Sequence, residues 1–182
     1  MSLELLGGRV LAPYFGSSIY VWGSIITVFM LSLALGYLLG GRWSVRQPSL
    51  LRFGSLFLVG AVLLYPLILL ADPAMQWIFD RIDDPRYGSL LASATLFMIP
   101  TVFLGMISPY SVRLLVETVE HAGQVAGRLY FVSTLGSSLG TLATSFYFVL
   151  HFEINEILQA MTATLIVMFA VALWGHRRLN HS

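Results

Sequence analysis

The chain has no cysteine and no lysine, and it contains few charged residues. The absence of cysteine excludes a disulfide framework, a thiolate metal site and a cysteine nucleophile. All ten basic residues are arginines, and they are scattered along the sequence, which gives no footprint for nucleic acid. Charged residues make up 10% of the chain and hydrophobic residues 57%, against about 25% and about 45–50% in soluble domains. This composition predicts a membrane protein.

Motifs for familiar enzyme chemistry are also missing. The sequence has no Gly-x-Gly-x-x-Gly and no Walker-type phosphate loop. Its four histidines fall in loops or near the ends of predicted helices, without the spacing of metal ligands. No serine or threonine lies near a plausible base. We therefore expect no catalytic residue, no metal site and no cofactor.

The longest stretch without an acid or a base runs from residue 10 to residue 41. A bilayer core about 30 Å thick needs roughly 20 apolar residues of helix, and residues 19–41 supply them. Tyr20 and Trp22 lie where an aromatic belt would be. Pro13, Gly16 and the two serines after it form the bend that leads into this helix.

Four further runs predict membrane spans, at about residues 53–71, 88–106, 129–150 and 157–174. The predicted fold is therefore an all-α integral membrane bundle of five full transmembrane helices, in a single polytopic domain that covers residues 1–182. Ser108 and Pro109 resemble a helix start. They predict an amphipathic helix at about 109–122, lying on the cytosolic surface of the membrane.

The N-terminal segment, residues 2–12, is helix-like but too short to span a bilayer. In one interpretation it is an interfacial helix with Glu4 and Arg9 in water. In the other it is the remaining part of a truncated first spanning helix, with Glu4 facing the bundle interior. An acid within the membrane is a functional candidate by default.

The arginines predict the orientation, because acidic residues contribute little to the positive-inside rule. The loop with Arg42 and Arg52 is expected inside, and the acidic loop between the second and third spans outside. Strict alternation then places the basic tail with Arg177 and Arg178 in the cytoplasm. We expect a multi-pass protein of the inner membrane with a cytoplasmic C-terminus.

Small and polar residues recur at helical spacing within two spans. Gly36 and Gly40 form one small-xxx-small pair, and Gly136 and Gly140 form another. A stripe of hydroxyl residues lies beside the second pair: Ser133, Ser137, Thr141 and Thr144. Close helix packing is the common reason for such pairs. The functional alternative is a polar path near the midplane, where transporters have their sites.

A short pattern of glycine, arginine and serine occurs twice in the chain, as a weak internal echo. Gly8-Arg9 precedes Gly16-Ser17-Ser18, and Gly127-Arg128 precedes Gly136-Ser137-Ser138. A three-helix repeat, which is a recurring transporter design, would explain the echo. A chance match of a few small residues would explain it equally well.

Several longer motifs resemble a known family. Residues 4–22 read ELLGGRVLAPYFGSSIYVW, and residues 35–42 read LGYLLGGR. Later segments read FLGMISP at 103–109, GRLY at 127–130 and STLGSSLGT at 133–141. Together they are similar to the membrane domain of the transmembrane spermidine synthase-like proteins, over nearly the whole chain. In that family a transporter-like helix bundle is commonly followed by a cytosolic aminopropyltransferase-like domain.

The resemblance implies a membrane bundle but no enzyme, because this sequence contains no aminopropyltransferase-like domain and no cofactor-binding glycines. One function that it implies is transport of polyamines or related small molecules. The substrate path would use Glu4, Arg9, Tyr14 and Tyr37 together with the hydroxyl stripe. An acid would pair with an ammonium group, and tyrosine rings would add cation–π attraction.

The alternative function is a non-transporting anchor or assembly subunit. It would hold a cytosolic synthase-like domain at the membrane through the Arg42 loop, the helix with Arg113 and the basic tail. The expected partners are the lipid bilayer, such a cytosolic domain and a second copy of the chain, because a chain of this size is small for a complete carrier.

Overall fold

The computed structural model describes residues 1–45, 48–116, 118 and 121–179. Over these residues the protein is helical and has no β-strand. The helices in chain order are α1 (Ser2–Phe15), α2 (Ile19–Val45), α3 (Leu50–Phe79), α4 (Pro85–Leu115), α5 (Ala122–Ala143), a π-helical segment (Thr144–Phe148), α6 (Val149–His151) and α7 (Ile154–Leu179).

Four helices are long and apolar enough to cross a membrane, namely α2, α3, α4 and α7, with 27, 30, 31 and 26 residues. They contain the predicted spans at 19–41, 53–71, 88–106 and 157–174. The prediction of an all-helical, multi-pass membrane protein is confirmed to this extent.

The fifth predicted span, 129–150, falls on α5, the π-helical segment and α6. These three elements follow one another without a break from Ala122 to His151, but α5 is not among the helices that meet the length and hydropathy of a span. Its glycines and hydroxyl residues lower its hydropathy. The fifth span therefore stays a prediction. The three-helix repeat also stays a prediction. The helices that carry the two copies of the Gly-Arg pair, α1 and α5, differ in length, with 14 and 22 residues.

The prediction of a separate amphipathic helix at 109–122 is wrong. Pro109 lies inside α4, which continues to Leu115, and Val116 then has an extended backbone. Prolines are tolerated inside membrane helices because neighbouring helices and Ser or Thr side chains satisfy the freed backbone groups. Ser108 and Pro109 therefore do not mark a helix start. Residues 117, 119 and 120 of the predicted helix lie outside the described residues.

The pair α2 and α4 is the most closely packed part of the bundle. The two helices run in the same direction, because residue numbers rise together along their contacts. Those contacts are Ser24 with Ser89, Phe29 with Phe97, Gly36 with Gly105 and Gly40 with Met106. The glycines let the two backbones approach closely, as small residues do in membrane bundles.

The ends of the helices gather into two groups. At one end, the backbone N–H of Ser49 donates a hydrogen bond to the buried hydroxyl of Tyr110 at 3.2 Å, and Leu50 lies beside Gly175. We call this the arginine end, because the last turn of α2, the first turn of α3 and the last turn of α7 carry arginines there. At the other end, which we call the acidic end, Phe15 packs against Phe79 with ring centroids 6.0 Å apart.

Burial is uneven along the chain. Helix α1 is held in the bundle by buried apolar residues that include Leu6, Leu11 and Phe15. It contacts α2, α3 and α4. Helix α5, in contrast, has no buried residue and lies against α1 and α4 through few contacts. The fold is therefore a packed bundle of α1 to α4 and α7, with α5 at its side.

Candidate functional site: a cleft beside α5

A cleft of about 1290 Å³ separates α5 from the pair α2 and α4. Its first wall is formed by Leu33 and Tyr37 of α2 and by six residues of α4 between Leu104 and Ser111, and its second wall by eight residues on one side of α5 between Leu129 and Leu142. Small-molecule pockets have volumes of about 300–1,000 Å³. The cleft is therefore large enough for a small solute and its hydration water.

The two walls differ in chemistry. On the α5 wall the polar side chains are hydroxyls, namely Ser133, Thr134, Ser137, Ser138 and Thr141, with Tyr130 nearby. The opposite wall has aliphatic side chains such as Leu33, Leu104 and Ile107, and its polar groups are Tyr37, Ser108 and Ser111. None of the residues that line the cleft carries a charged side chain. Met1, at the start of α1, also lines the cleft. The cleft therefore has no charged side chain, one hydroxyl wall and one largely aliphatic wall.

The far face of α5 is apolar and exposed. Phe131, Val132, Leu135 and Leu139 are between 48% and 68% exposed, and none of them lines the cleft. Residues three or four positions apart share a helix face. The sequence of α5 therefore places its hydroxyls on the cleft side and its large apolar side chains on the side that would contact lipid.

The two predicted glycine pairs have different surroundings. A methyl group added at Gly40 would lie 2.6 Å from the carbonyl oxygen of Met106, and Gly36 is equally tight against α4. At Gly140 a methyl group would meet only the Ser2 hydroxyl, at 3.4 Å, and at Gly136 it would meet nothing within 4 Å. Helix packing thus accounts for the first pair. For Gly136, which meets no other helix of the described chain, packing stays a prediction.

Three hydroxyls of the cleft donate their hydrogen to their own helix. Thr141 donates to the carbonyl of Ser137 at 2.8 Å, and Ser138 donates to the carbonyl of Thr134 at 3.0 Å. On the opposite wall, Ser111 donates to the carbonyl of Ile107 at 2.7 Å. A hydroxyl has one hydrogen and two lone pairs. These three oxygens therefore remain able to accept hydrogen bonds from a solute.

Thr144 of the predicted stripe does not line the cleft. It is buried at the start of the π-helical segment, and its hydroxyl donates to the Ser2 hydroxyl at 3.0 Å. Arg9 makes a similar connection two turns further along α1, donating from Nη1 to the carbonyl of Val149 at 2.7 Å. A cation is favourable near the C-terminal end of a helix. These two bonds attach α1 to the end of the helical run that contains α5.

Arg9 also lines a second, smaller cleft of about 530 Å³. This cleft lies at the acidic end and includes Asp72 of α3 and Glu153 in the turn before α7. It is separate from the hydroxyl cleft and has the opposite character, since charged groups face it.

The remaining predicted path residues lie elsewhere. Glu4 is half-buried in α1 and lines neither cleft. Tyr14 packs against Phe79 at the acidic end, with ring centroids 6.2 Å apart. Of the eight predicted path residues, the structure brings four together in one cleft, namely Tyr37, Ser133, Ser137 and Thr141.

Sequence reasoning missed several lining residues. Thr134 and Ser138 are also four apart and each follows a predicted stripe residue, so the same periodicity could have found them. Ser108 and Ser111 had a weaker signal, because the Ser-Pro pair at 108–109 resembles a helix start.

Comparison of the chain with known proteins does not identify its family. No family model, no curated protein and no solved structure matches this chain. The resemblance to spermidine synthase-like membrane domains therefore rests on the motifs alone.

Proposed function

We propose that this chain is the membrane part of a carrier or channel, which admits small polar molecules through the cleft beside α5. The observation that supports this proposal is the environment of the hydroxyl stripe. Ser133, Ser137 and Thr141 face a cleft and not another helix. An exposed helix that only filled space in lipid would need no hydroxyl face, since lipid is best matched by apolar side chains.

The resemblance to spermidine synthase-like membrane domains makes polyamines the first solutes to test. The positive-inside rule supports a cytoplasmic arginine end in the inner membrane, since Arg42, Arg52 and Arg177 gather there. Transport would then connect that side with the acidic end.

The test is uptake of labelled spermidine, putrescine and erythritol into proteoliposomes that contain the purified protein. The variant Ser137→Phe replaces a hydroxyl of the cleft wall by a large ring that projects into the cleft. The matched control is Leu139→Phe, which adds a ring on the exposed far face of the same helix. We expect saturable uptake of at least one solute by the parent protein and by Leu139→Phe, and markedly slower uptake for Ser137→Phe.

The alternative function is an anchor for a cytosolic aminopropyltransferase-like protein. The observation that favours it is the basic last turn of α7, with His176, Arg177 and Arg178 at the arginine end. Absence of uptake for all three solutes, with specific binding of a purified aminopropyltransferase that is lost in the double variant Arg177→Glu/Arg178→Glu, would replace the carrier proposal by the anchor.

A further inference from the structure

We infer that the cleft beside α5 takes uncharged solutes with several hydrogen-bond donors, the polyol class, and not polycations. This inference rests on the proposed transport function and names its substrate class. It follows from the absence of acidic side chains in the cleft lining, from the hydrogen-bonding capacity of the lining hydroxyls and from the arrangement of the two walls.

The lining of the cleft offers no counter-ion to a cationic solute. No carboxylate lines the cleft. The acids that could neutralise an ammonium group lie elsewhere, with Glu4 in α1 and with Asp72 and Glu153 around the second cleft. Two charged amines that entered the cleft would lose hydration without gaining a counter-ion, which is strongly unfavourable inside a membrane. An uncharged solute does not have this cost.

The hydroxyls that line the cleft can accept hydrogen bonds from a solute. Ser111, Ser138 and Thr141 donate their hydrogens to backbone carbonyls, so each of these hydroxyl oxygens offers only lone pairs to a solute. Other lining hydroxyls, among them Ser133 and Ser137, can both donate and accept. A solute with several O–H groups would satisfy them.

The two walls of the cleft place hydroxyls opposite aliphatic side chains. The helical rise of about 1.5 Å per residue spreads the hydroxyls from Ser133 to Thr141 over about 12 Å. The opposite wall presents aliphatic side chains, including Leu33 and Leu104. A polyol has hydroxyls along one edge and C–H groups along the other. It can therefore contact both walls at once.

One buried hydroxyl of α4, that of Thr101, has no hydrogen-bond partner among the described residues. Thr101 is four residues before Gly105, which lines the cleft, and so lies on the same face of α4 one turn further on.

The experiment compares two four-carbon solutes, erythritol and putrescine, in proteoliposomes. Erythritol entry is followed by stopped-flow light scattering and putrescine entry by radiolabel. We expect the protein to raise erythritol permeability above that of empty liposomes and to leave putrescine permeability unchanged. Thr141→Val removes one acceptor while preserving shape. It should lower the erythritol permeability about fivefold, as expected for one lost hydrogen bond of ordinary strength.

The matched control is Thr164→Val. Thr164 makes the same bond to its own helix, donating to the carbonyl of Ala160 at 2.8 Å, but it lies on α7 and is exposed away from the cleft. It should retain the parent permeability. Equal permeabilities in the two variants would overturn the inference, because the route would not depend on the cleft acceptor.

The other outcomes separate this inference from the function on which it rests. Entry of putrescine without erythritol would overturn the polyol class and leave transport standing. Absence of entry for both solutes would overturn transport, and the inference with it.

Discussion

Gly16, at the turn between α1 and α2, has a backbone conformation that other residues avoid. Its φ of 76° and ψ of −169° lie in a region that is essentially restricted to glycine. Its N–H closes the last turn of α1 by donating to the carbonyl of Ala12 at 2.9 Å. The turn reverses the chain so that α1 lies beside α2, with Phe15 packed into the bundle.

Replacing Gly16 by alanine should therefore destabilise the protein by about 1–3 kcal/mol, the usual strain of such a backbone conformation. Thermal unfolding of the purified protein in detergent measures the effect. The control is Gly23→Ala, because Gly23 lies inside α2 and a methyl group there meets nothing within 4 Å. A loss of equal size in Gly23→Ala would show that the turn conformation is not the cause.

This turn was within reach of sequence reasoning. Gly16 and the two serines after it predict a bend, and the apolar run from residue 19 predicts the helix that follows. What the sequence could not show is the burial of Phe15. A single aromatic residue at a helix end packs or stays exposed according to its tertiary neighbours, which here are Phe79 and Gly88.

At the scale of elements, the contact between α2 and α4 depends on glycine at the points where the two backbones meet. A methyl group at Gly40 would lie 2.7 Å from the Cα of Met106 and 2.9 Å from Cγ of Pro109. These are positions in another helix, which cannot move without displacing that helix. The adjacent Gly41 has nothing within 4 Å of its added methyl group.

The two adjacent glycines give a direct comparison. We expect Gly40→Ala to lower the stability of the protein by about 1–3 kcal/mol through overpacking, and Gly41→Ala to have little effect. Unfolding of both variants in mixed detergent micelles measures the difference. If Gly41→Ala were as damaging as Gly40→Ala, helix-wide effects of alanine would explain the loss and the close approach would not.

The elements show clearly where sequence reasoning succeeds and where it stops. Long apolar runs predicted α2, α3, α4 and α7, because the bilayer thickness sets their length. Pro109 led to a wrong helix start, because a proline inside a membrane helix leaves the same local pattern as one at its beginning. The four-residue period placed Ser133 and Ser137 on one face, but a period cannot say whether that face meets a helix, lipid or a cleft.

At the scale of the whole molecule, the helix ends form two chemically distinct groups. Acidic residues dominate the loop between α3 and α4, with Asp80, Asp83 and Asp84. Arginines lie at the opposite end, on the last turns of α2 and α7. This separation is the basis of the proposed orientation.

The absence of cysteine gives a clean background for testing that orientation. In right-side-out membrane vesicles, a membrane-impermeant maleimide should label Asp83→Cys at once. It should label Thr118→Cys, on the connection between α4 and α5, only after the vesicles are permeabilised. The reverse pattern would place the arginine end outside and would contradict the proposed orientation.

The lack of buried residues on α5 has a consequence for how substitutions would be tolerated. Where α2 and α4 pack together, as at Gly36 and Gly40, selection for folding alone would reject larger residues, so a deep mutational scan of these positions reports on stability. In α5 folding makes few demands, and the exchange of one lipophilic residue for another at Leu135 or Leu139 should be silent. Any intolerance found at Ser137 or Thr141 would then measure what the protein does, without the background that stability usually adds.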